Sequence, residues 1–114
     1  MSVKLSTRQV GDVSVVDVAG RITLGEGSSA LRDSLRDMVT KGQKKILLNL
    51  AEVSYIDSSG IGELVSGFTT VANQGGQLKL LSLTKRVKDL LQITKLYTVF
   101  DVHDDEAAAI RNFK

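Results

Sequence analysis

The sequence predicts an α/β fold in which helices pack on a mostly parallel β-sheet. Segments typical of strands alternate along the chain with segments typical of helices, which implies β-α-β crossovers. Residues 46–50 (ILLNL) are apolar with almost no alternation, a pattern that favours a strand covered on both faces. The 114 residues include no repeat, linker or proline, so we expect one domain that spans residues 1–114.

The first two strands are predicted to form a hairpin. Residues 13–18 (VSVVDV) are rich in β-branched side chains and indicate a strand that ends at Gly20. Residues 3–9 pair with it as a polar edge strand, and the turn between the two strands lies at residues 11–12.

Two amphipathic helices are predicted on either side of the apolar strand at residues 46–50. Ser28 or Ser29 caps the first of them. The apolar positions of this helix are Leu31, Leu35, Met38 and Val39. The second helix is the clearest in the chain and stops at Gly75 and Gly76. Its apolar stripe consists of Ile61, Leu64, Val65, Phe68, Val71 and Ala72.

The last third of the chain predicts two short strands and two helices in alternation. Residues 78–81 form a buried strand, and a second strand lies near residues 99–100. The core positions of the intervening helix are Val87, Leu90, Leu91 and Thr94. Those of the final helix are Ala107, Ile110 and Phe113.

The composition disfavours several classes of function. Lys and Arg number 15 against 13 Asp and Glu, and a formal charge of +2 is too small for a basic face that binds nucleic acid directly. The chain lacks cysteine, which removes disulfides and thiolate metal sites. No apolar run is long enough for a signal peptide or a membrane span. We therefore expect a cytoplasmic protein without membrane association.

The stretch YIDSSGIG, residues 55–62, is the candidate functional site. It lies before the clearest helix, at the expected carboxyl end of a strand, where open α/β sheets place their sites. The free amides and the dipole of the first helical turn favour an anion there. An ordinary N-cap explains Asp57 and the serines about equally well. The glycines at positions 60 and 62 weaken a helix start, which favours a site where the serines lie open.

The residues at this junction favour a serine hydroxyl that another enzyme modifies over one that acts as a catalytic nucleophile. The only histidine is His103, so a serine nucleophile lacks a nearby base. No nucleophile elbow, dinucleotide fingerprint or phosphate loop is present, and the acids within residues 101–105 are typical of a helix cap. We expect no catalytic residue, cofactor or metal. A phosphate of roughly −1.5 to −2 charges on an exposed serine would repel a docked partner.

The chain resembles the STAS domains of bacterial anti-sigma factor antagonists along nearly its whole length. The resemblance rests on residues 16–22 (VDVAGRI), 30–32 (ALR), 46–50 and, above all, 55–62. It implies a four- to five-stranded mixed β-sheet with about four helices packed on it. It also implies partner switching, in which the unphosphorylated domain binds an anti-sigma factor and frees the sigma factor. That anti-sigma factor is also a serine kinase. It phosphorylates the domain, which breaks the complex, and a PP2C-type phosphatase makes the complex possible again by removing the phosphate.

The serine that matches the family's phosphorylated position is Ser58, although the residues alone do not distinguish it from Ser59. The implied partner-binding residues are Asp57, Ser58, Ser59, Gly60, Ile61, Arg21 and Thr23. The family's usual Gly-Glu-Leu/Ile-Asp carries an acid where this chain has Thr23. The lost acid and the presence of Arg21 make the electrostatic potential around this loop more positive, which affects the choice of kinase. The alternative is that residues 21–23 are exposed loop residues without a role.

Two other hypotheses remain open. The domain could associate with a signalling or transport complex without phosphorylation, so that the junction is a contact surface only. A small nucleotide-binding or hydrolytic protein would use the helix amides as a phosphate cradle, which the missing lysine and base disfavour. The sequence does not distinguish a monomer from a weak homodimer, and it does not identify the sigma factor, the kinase or the regulated process.

Overall fold

The computed structural model describes residues 3–113, and these contain one five-stranded sheet and four helices. The strands are β1 (Val3–Val10), β2 (Val13–Ile22), β3 (Lys45–Ile56), β4 (Gln77–Leu81) and β5 (Asp101–His103). The helices are α1 (Glu26–Thr40), α2 (Ser58–Asn73), α3 (Lys85–Ile93) and α4 (Glu106–Asn112). The predicted α/β class, with a mixed sheet of four to five strands and about four helices, is confirmed.

The strand order follows the chain, β1-β2-β3-β4-β5, with β1 antiparallel to β2 and the remaining pairs parallel. Gly11 makes the predicted turn between β1 and β2 with a φ of 62°, a conformation that favours glycine. Each parallel pair needs a crossover, which α1, α2 and α3 provide in turn. The carboxyl ends of β2, β3 and β4 therefore share one edge of the sheet, which we call the carboxyl edge.

The core has two parts, one on each face of the sheet. Ile46 and Leu48 of β3 belong to a large cluster with α1, α2 and α3, whereas Leu47 belongs to a smaller cluster with α4. All three side chains are fully buried, which confirms the prediction of a strand covered on both faces. The helix residues buried in the large cluster are Leu31, Leu35, Met38, Ile61, Leu64, Val71, Val87 and Leu91.

Two strands extend further than predicted, and the extension shapes the candidate site. β2 continues to Ile22 and β3 continues to Ile56, because residues 21–22 pair in parallel with residues 55–56 beyond bulges in the ladder. Tyr55 therefore lies in the sheet at its carboxyl edge, directly beside a residue of β2.

The predicted cap of α1 is wrong. The helix begins at Glu26 with Gly25 as its N-cap, and no side chain accepts a hydrogen bond at that cap. Gly25 has a φ of 97°, which glycine tolerates, so the chain enters the helix before either serine. Ser28 is buried inside the helix and donates its hydroxyl hydrogen to the carbonyl of Gly25.

Other predicted positions differ in detail. Three of the expected core residues are exposed: Ala72, Thr94 and Ala107. Thr94 is the C-cap of α3, where its hydroxyl donates to the carbonyl of Leu90 at 2.8 Å. On α4, Ala109 is buried against the sheet instead of Ala107. The strand expected near residues 99–100 forms two residues later as β5, where it pairs with β4.

Candidate functional site

The candidate site lies where β3 passes into α2 at the carboxyl edge. β3 ends at Ile56, Asp57 follows in an extended conformation, and α2 begins at Ser58. The N–H of Asp57 donates to the carbonyl of Ile22, the last residue of β2, at 3.3 Å. The start of α2 is therefore a neighbour of the β2–α1 loop, residues 23–25.

Asp57 caps α2 and also holds the β2–α1 loop. Its Oδ1 accepts a hydrogen bond from the N–H of Gly60 at 3.1 Å, and its Oδ2 accepts one from the N–H of Leu24 at 3.1 Å. Burial opposes ionisation of this carboxyl, but the backbone N–H donors around it outweigh burial and lower the pKa of Asp57. Of the two alternatives that the sequence left open for Asp57, the N-cap is therefore present, and backbone N–H groups hydrogen-bond both oxygens of its carboxylate.

The two serines of the junction differ in exposure. Ser58, the first residue of α2, is exposed, whereas Ser59 is half-buried. Within residues 3–113, no hydrogen bond engages the Ser58 hydroxyl. That hydroxyl lies at the positive end of the helix dipole, where an attached anion is stabilised.

The two glycines of the junction have different roles, which corrects the interpretation that both keep the serines open. A Cβ on Gly60 would lie 2.5 Å from the carbonyl oxygen of Ile22 and 2.6 Å from Cγ1 of Ile56. Gly60 is buried and allows α2 to approach the ends of β2 and β3 closely. A Cβ on Gly62 would meet nothing within 4 Å. Only Gly62 leaves open space.

The other predicted partner-binding residues divide into buried and accessible ones. Ile61 is 3% exposed and packs in the large core cluster, so any part it has in partner binding is indirect. Thr23 is half-buried, and its carbonyl accepts the N–H of Ser28 at 3.0 Å. Arg21 is exposed at the end of β2.

An arginine that sequence reasoning missed joins Arg21 at the carboxyl edge. The guanidinium carbon of Arg21 lies 4.7 Å from the centre of the Tyr55 ring, and that of Arg86 lies 4.4 Å from the same centre. Arg86 belongs to the first turn of α3, so three elements meet at one aromatic ring. Nothing in the sequence connects residues 85–88 to Tyr55, because the contact exists only when α3 packs beside the end of β3.

A second missed residue is Leu24 in the β2–α1 loop. Leu24 is 79% exposed, the largest exposure among the large apolar residues of the described part of the chain. The N–H of Leu24 donates a hydrogen bond to Asp57, which fixes the backbone of Leu24 relative to the start of α2. The only indication in the sequence was an apolar residue in a segment without helical or strand periodicity.

Residues 3–113 contain no group of three or more His, Cys, Asp or Glu side chains that could hold a metal ion. His103 lies on β5 with its Nε2 3.2 Å from Oδ2 of Asp101, and Asp105 caps α4. No helix in this part of the chain is both long and apolar enough to cross a membrane.

Comparisons with known proteins agree with this architecture. Residues 4–109 match the family model of the STAS domain. The anti-sigma-B factor antagonist of Bacillus subtilis is 33% identical over 102 residues, which cover 90% of this chain and 92% of that protein. A crystal structure of an anti-sigma factor antagonist from Mycobacterium paratuberculosis has a TM-score of 0.87 at 19% identity, covering 98% of this chain and 94% of that one. The Bacillus cell fate determinant SpoIIAA in its phosphorylated form has a TM-score of 0.74 at 19% identity, covering 95% and 97%.

Proposed function

Since the chain belongs to the STAS domain family, we propose that it is an anti-sigma factor antagonist that works by partner switching in the cytoplasm. The unphosphorylated domain binds an anti-sigma factor that is also a serine kinase, and the sigma factor is released. Phosphorylation of Ser58 ends that complex, and a PP2C-type phosphatase restores it. The observation that carries the proposal is the exposed, unengaged hydroxyl of Ser58 at the first position of α2.

At the position of Ser58, a phosphate should be accommodated by the domain and should still disfavour binding of a partner. The first turn of α2 offers N–H groups and the positive end of a dipole, so the charge is accommodated locally. A partner surface docked over the same position would bring its own groups against roughly −1.5 to −2 added charges. Unfavourable charge contacts at an interface cost several kcal/mol, and about 1.4 kcal/mol corresponds to tenfold in affinity. We therefore expect a loss of about a hundredfold or more.

The role is binding rather than catalysis. A serine nucleophile needs a base within hydrogen-bond distance, and within residues 3–113 the Ser58 hydroxyl has no such partner. His103 accompanies Asp101 on β5, a different strand from the one that leads to Ser58. In the proposed circuit, the kinase and the phosphatase supply the chemistry.

The test begins with capture of the cognate kinase from the source bacterium on the immobilised domain, followed by its identification and purification. With ATP, the purified kinase should add one phosphate to the wild-type domain, and phosphopeptide mapping should place it on Ser58. Ser58→Ala should keep kinase binding in the presence of ATP. Ser58→Asp should weaken binding about a hundredfold, whereas Ser66→Asp, the same added charge at an exposed position further along α2, should bind like wild type.

Three results would count against the proposal: a phosphate on Ser59 or elsewhere, normal binding by Ser58→Asp, or a wild-type domain that binds no kinase. A stable complex with another partner that is indifferent to ATP would favour the alternative of a phosphorylation-independent interaction module.

A further inference from the structure

We propose that Arg21 and Arg86, stacked on Tyr55, form a docking site for acidic side chains of the anti-sigma partner. We call these three residues the arginine pair site. The inference deepens the proposed function and rests on it, because it names the chemistry by which the same partner is recognised.

The arginine pair site is assembled by the fold from three separate segments. Arg21 of β2 is paired in register with Tyr55 of β3, and Arg86 is the second residue of α3. Both guanidinium groups lie within 5 Å of the centre of the ring, at 4.7 Å and 4.4 Å. Both arginines are exposed, and Tyr55 is half-buried between them and the sheet. The ring thus holds two flexible cations in place before any partner arrives, which reduces the ordering cost of binding.

Neither arginine of the pair is neutralised within the described residues. No carboxylate in residues 3–113 lies within ion-pair distance of either guanidinium, whereas Lys85 beside them is paired with Asp89 at 2.7 Å. Two like charges gathered at one ring repel each other, and the contact with the half-buried ring of Tyr55 compensates only in part. The site is therefore complementary to added negative charge.

Arg86 also opposes the electrostatics of its own helix. The first turn of α3 contains no acidic residue, and a cation there lies at the positive end of the helix dipole. The neighbouring Lys85 is compensated by Asp89 one turn later, but Arg86 has no such compensation. A residue that breaks a local stability rule is expected at a functional position.

The surroundings favour a protein partner over a nucleotide. Leu24, 79% exposed and fixed through Asp57, lies three residues along the chain from Arg21. An apolar anchor with charged groups at its border is the arrangement of a protein interface. A nucleotide would require a concave pocket with a phosphate cradle, and the sequence has no glycine-rich lysine loop. The planar guanidinium fork suits the carboxylates of Asp and Glu, which it binds with two parallel hydrogen bonds.

The decisive experiment measures association of the purified kinase with the double variant Arg21→Gln/Arg86→Gln. At low ionic strength its association rate constant should fall at least about tenfold with little change in dissociation, because charges at an interface border act mainly on encounter. The deficit should shrink at high ionic strength. The control Arg36→Gln/Arg111→Gln removes the same charge from two other exposed arginines and should stay within about twofold of wild type. An unchanged Tm confirms that both double variants are folded.

A direct probe identifies the occupant without the kinase. In an NMR titration, hexaglutamate should shift the Nε–H signals of Arg21 and Arg86 in a saturable manner, and the shifts should vanish in Tyr55→Leu. Shifts caused by ATP but not by hexaglutamate would assign the site to a nucleotide and overturn the inference.

The outcomes separate the two proposals. If Ser58→Asp loses the kinase while the arginine double variant associates like wild type, the inference is wrong and the proposed function stands. If the wild-type domain binds no kinase, the proposed function is wrong and the inference falls with it.

Discussion

The carboxylate of Asp57 connects the first turn of α2 to the β2–α1 loop through two backbone N–H groups. Asparagine has one acceptor oxygen, so Asp57→Asn should lose one of these bonds and about 1 kcal/mol of unfolding free energy. Asp105→Asn is the matched control, because Asp105 caps α4 through a single bond from Ala108 that asparagine can also accept. Urea unfolding of both variants measures the difference. Equal costs at the two caps would contradict the bridging role.

The same carboxyl should contribute to stability in a defined pH range. Because the folded state lowers the pKa of Asp57 from its ordinary value of 3.8, the stabilisation is complete above that value and is lost as the pH falls through the folded pKa. The stability of Asp57→Asn should therefore change less than that of wild type between pH 5 and acid conditions. Unfolding midpoints across this range provide the test, and parallel curves for the two proteins would exclude the contribution.

The two glycines near the start of α2 offer a pair of opposite predictions. Gly60→Ala places a Cβ 2.5 Å from the carbonyl oxygen of Ile22 and should cost about 1–3 kcal/mol. Gly62→Ala fills open space and should stabilise the helix by up to about 1 kcal/mol. Thermal or urea denaturation distinguishes the signs. A stabilised Gly60→Ala protein would mean that α2 is free to move away from the strand ends.

At the scale of elements, an ion-pair network connects α4 to β1 and β2. Arg8 of β1 contacts Asp17 of β2 at 2.7 Å and Glu106 of α4 at 2.6 Å. The hydrogen bonds from Arg8 lower the pKa of both carboxyls, so this fastening is present at neutral pH and weakens as acid protonates them. Glu106→Gln should raise amide hydrogen exchange in α4, whereas Glu52→Gln at an exposed position should not. Unchanged exchange in Glu106→Gln would show that apolar packing alone holds the helix.

Local patterns predicted the elements, and contacts between elements decided what the patterns missed. The apolar run of β3 and the helical stripe of α2, apart from Ala72, are properties of neighbouring residues, and both were predicted correctly. The continuation of β3 to Ile56 depends on pairing with residues 21–22, which no local pattern reveals. The close packing of Gly60 against Ile22 is likewise a contact between elements. The local sequence does not show it, so the sequence alone suggested that Gly60 keeps the serines accessible.

At the scale of the whole molecule, topology brings distant residues to the carboxyl edge. Two successive parallel pairings place the ends of β2, β3 and β4 together, and the start of α3 brings Arg86 to Tyr55. The junction at residues 55–62 could be recognised from the sequence because an acid, two serines and two glycines follow one another in a single stretch. The sequence could not distinguish the arginine pair site, because that site exists only when three segments meet.

The whole fold also predicts how a phosphate on Ser58 should act. Ser58 is exposed, so the added group needs no space in the core, and the dipole of α2 stabilises it by about 0.3–1 kcal/mol while the carboxylate of Asp57 opposes it. We expect the free energy of unfolding to change by less than about 1 kcal/mol. Urea unfolding of the phosphorylated domain measures this change, with the phosphatase-treated sample as control. Amide NMR shifts should stay confined to α2, the β2–α1 loop and the start of α3. Large shifts in β5, at the edge of the sheet, and in α4, on its opposite face, would show that the switch acts by rearranging the fold. Confined shifts would mean that it acts through the charge of the docking surface.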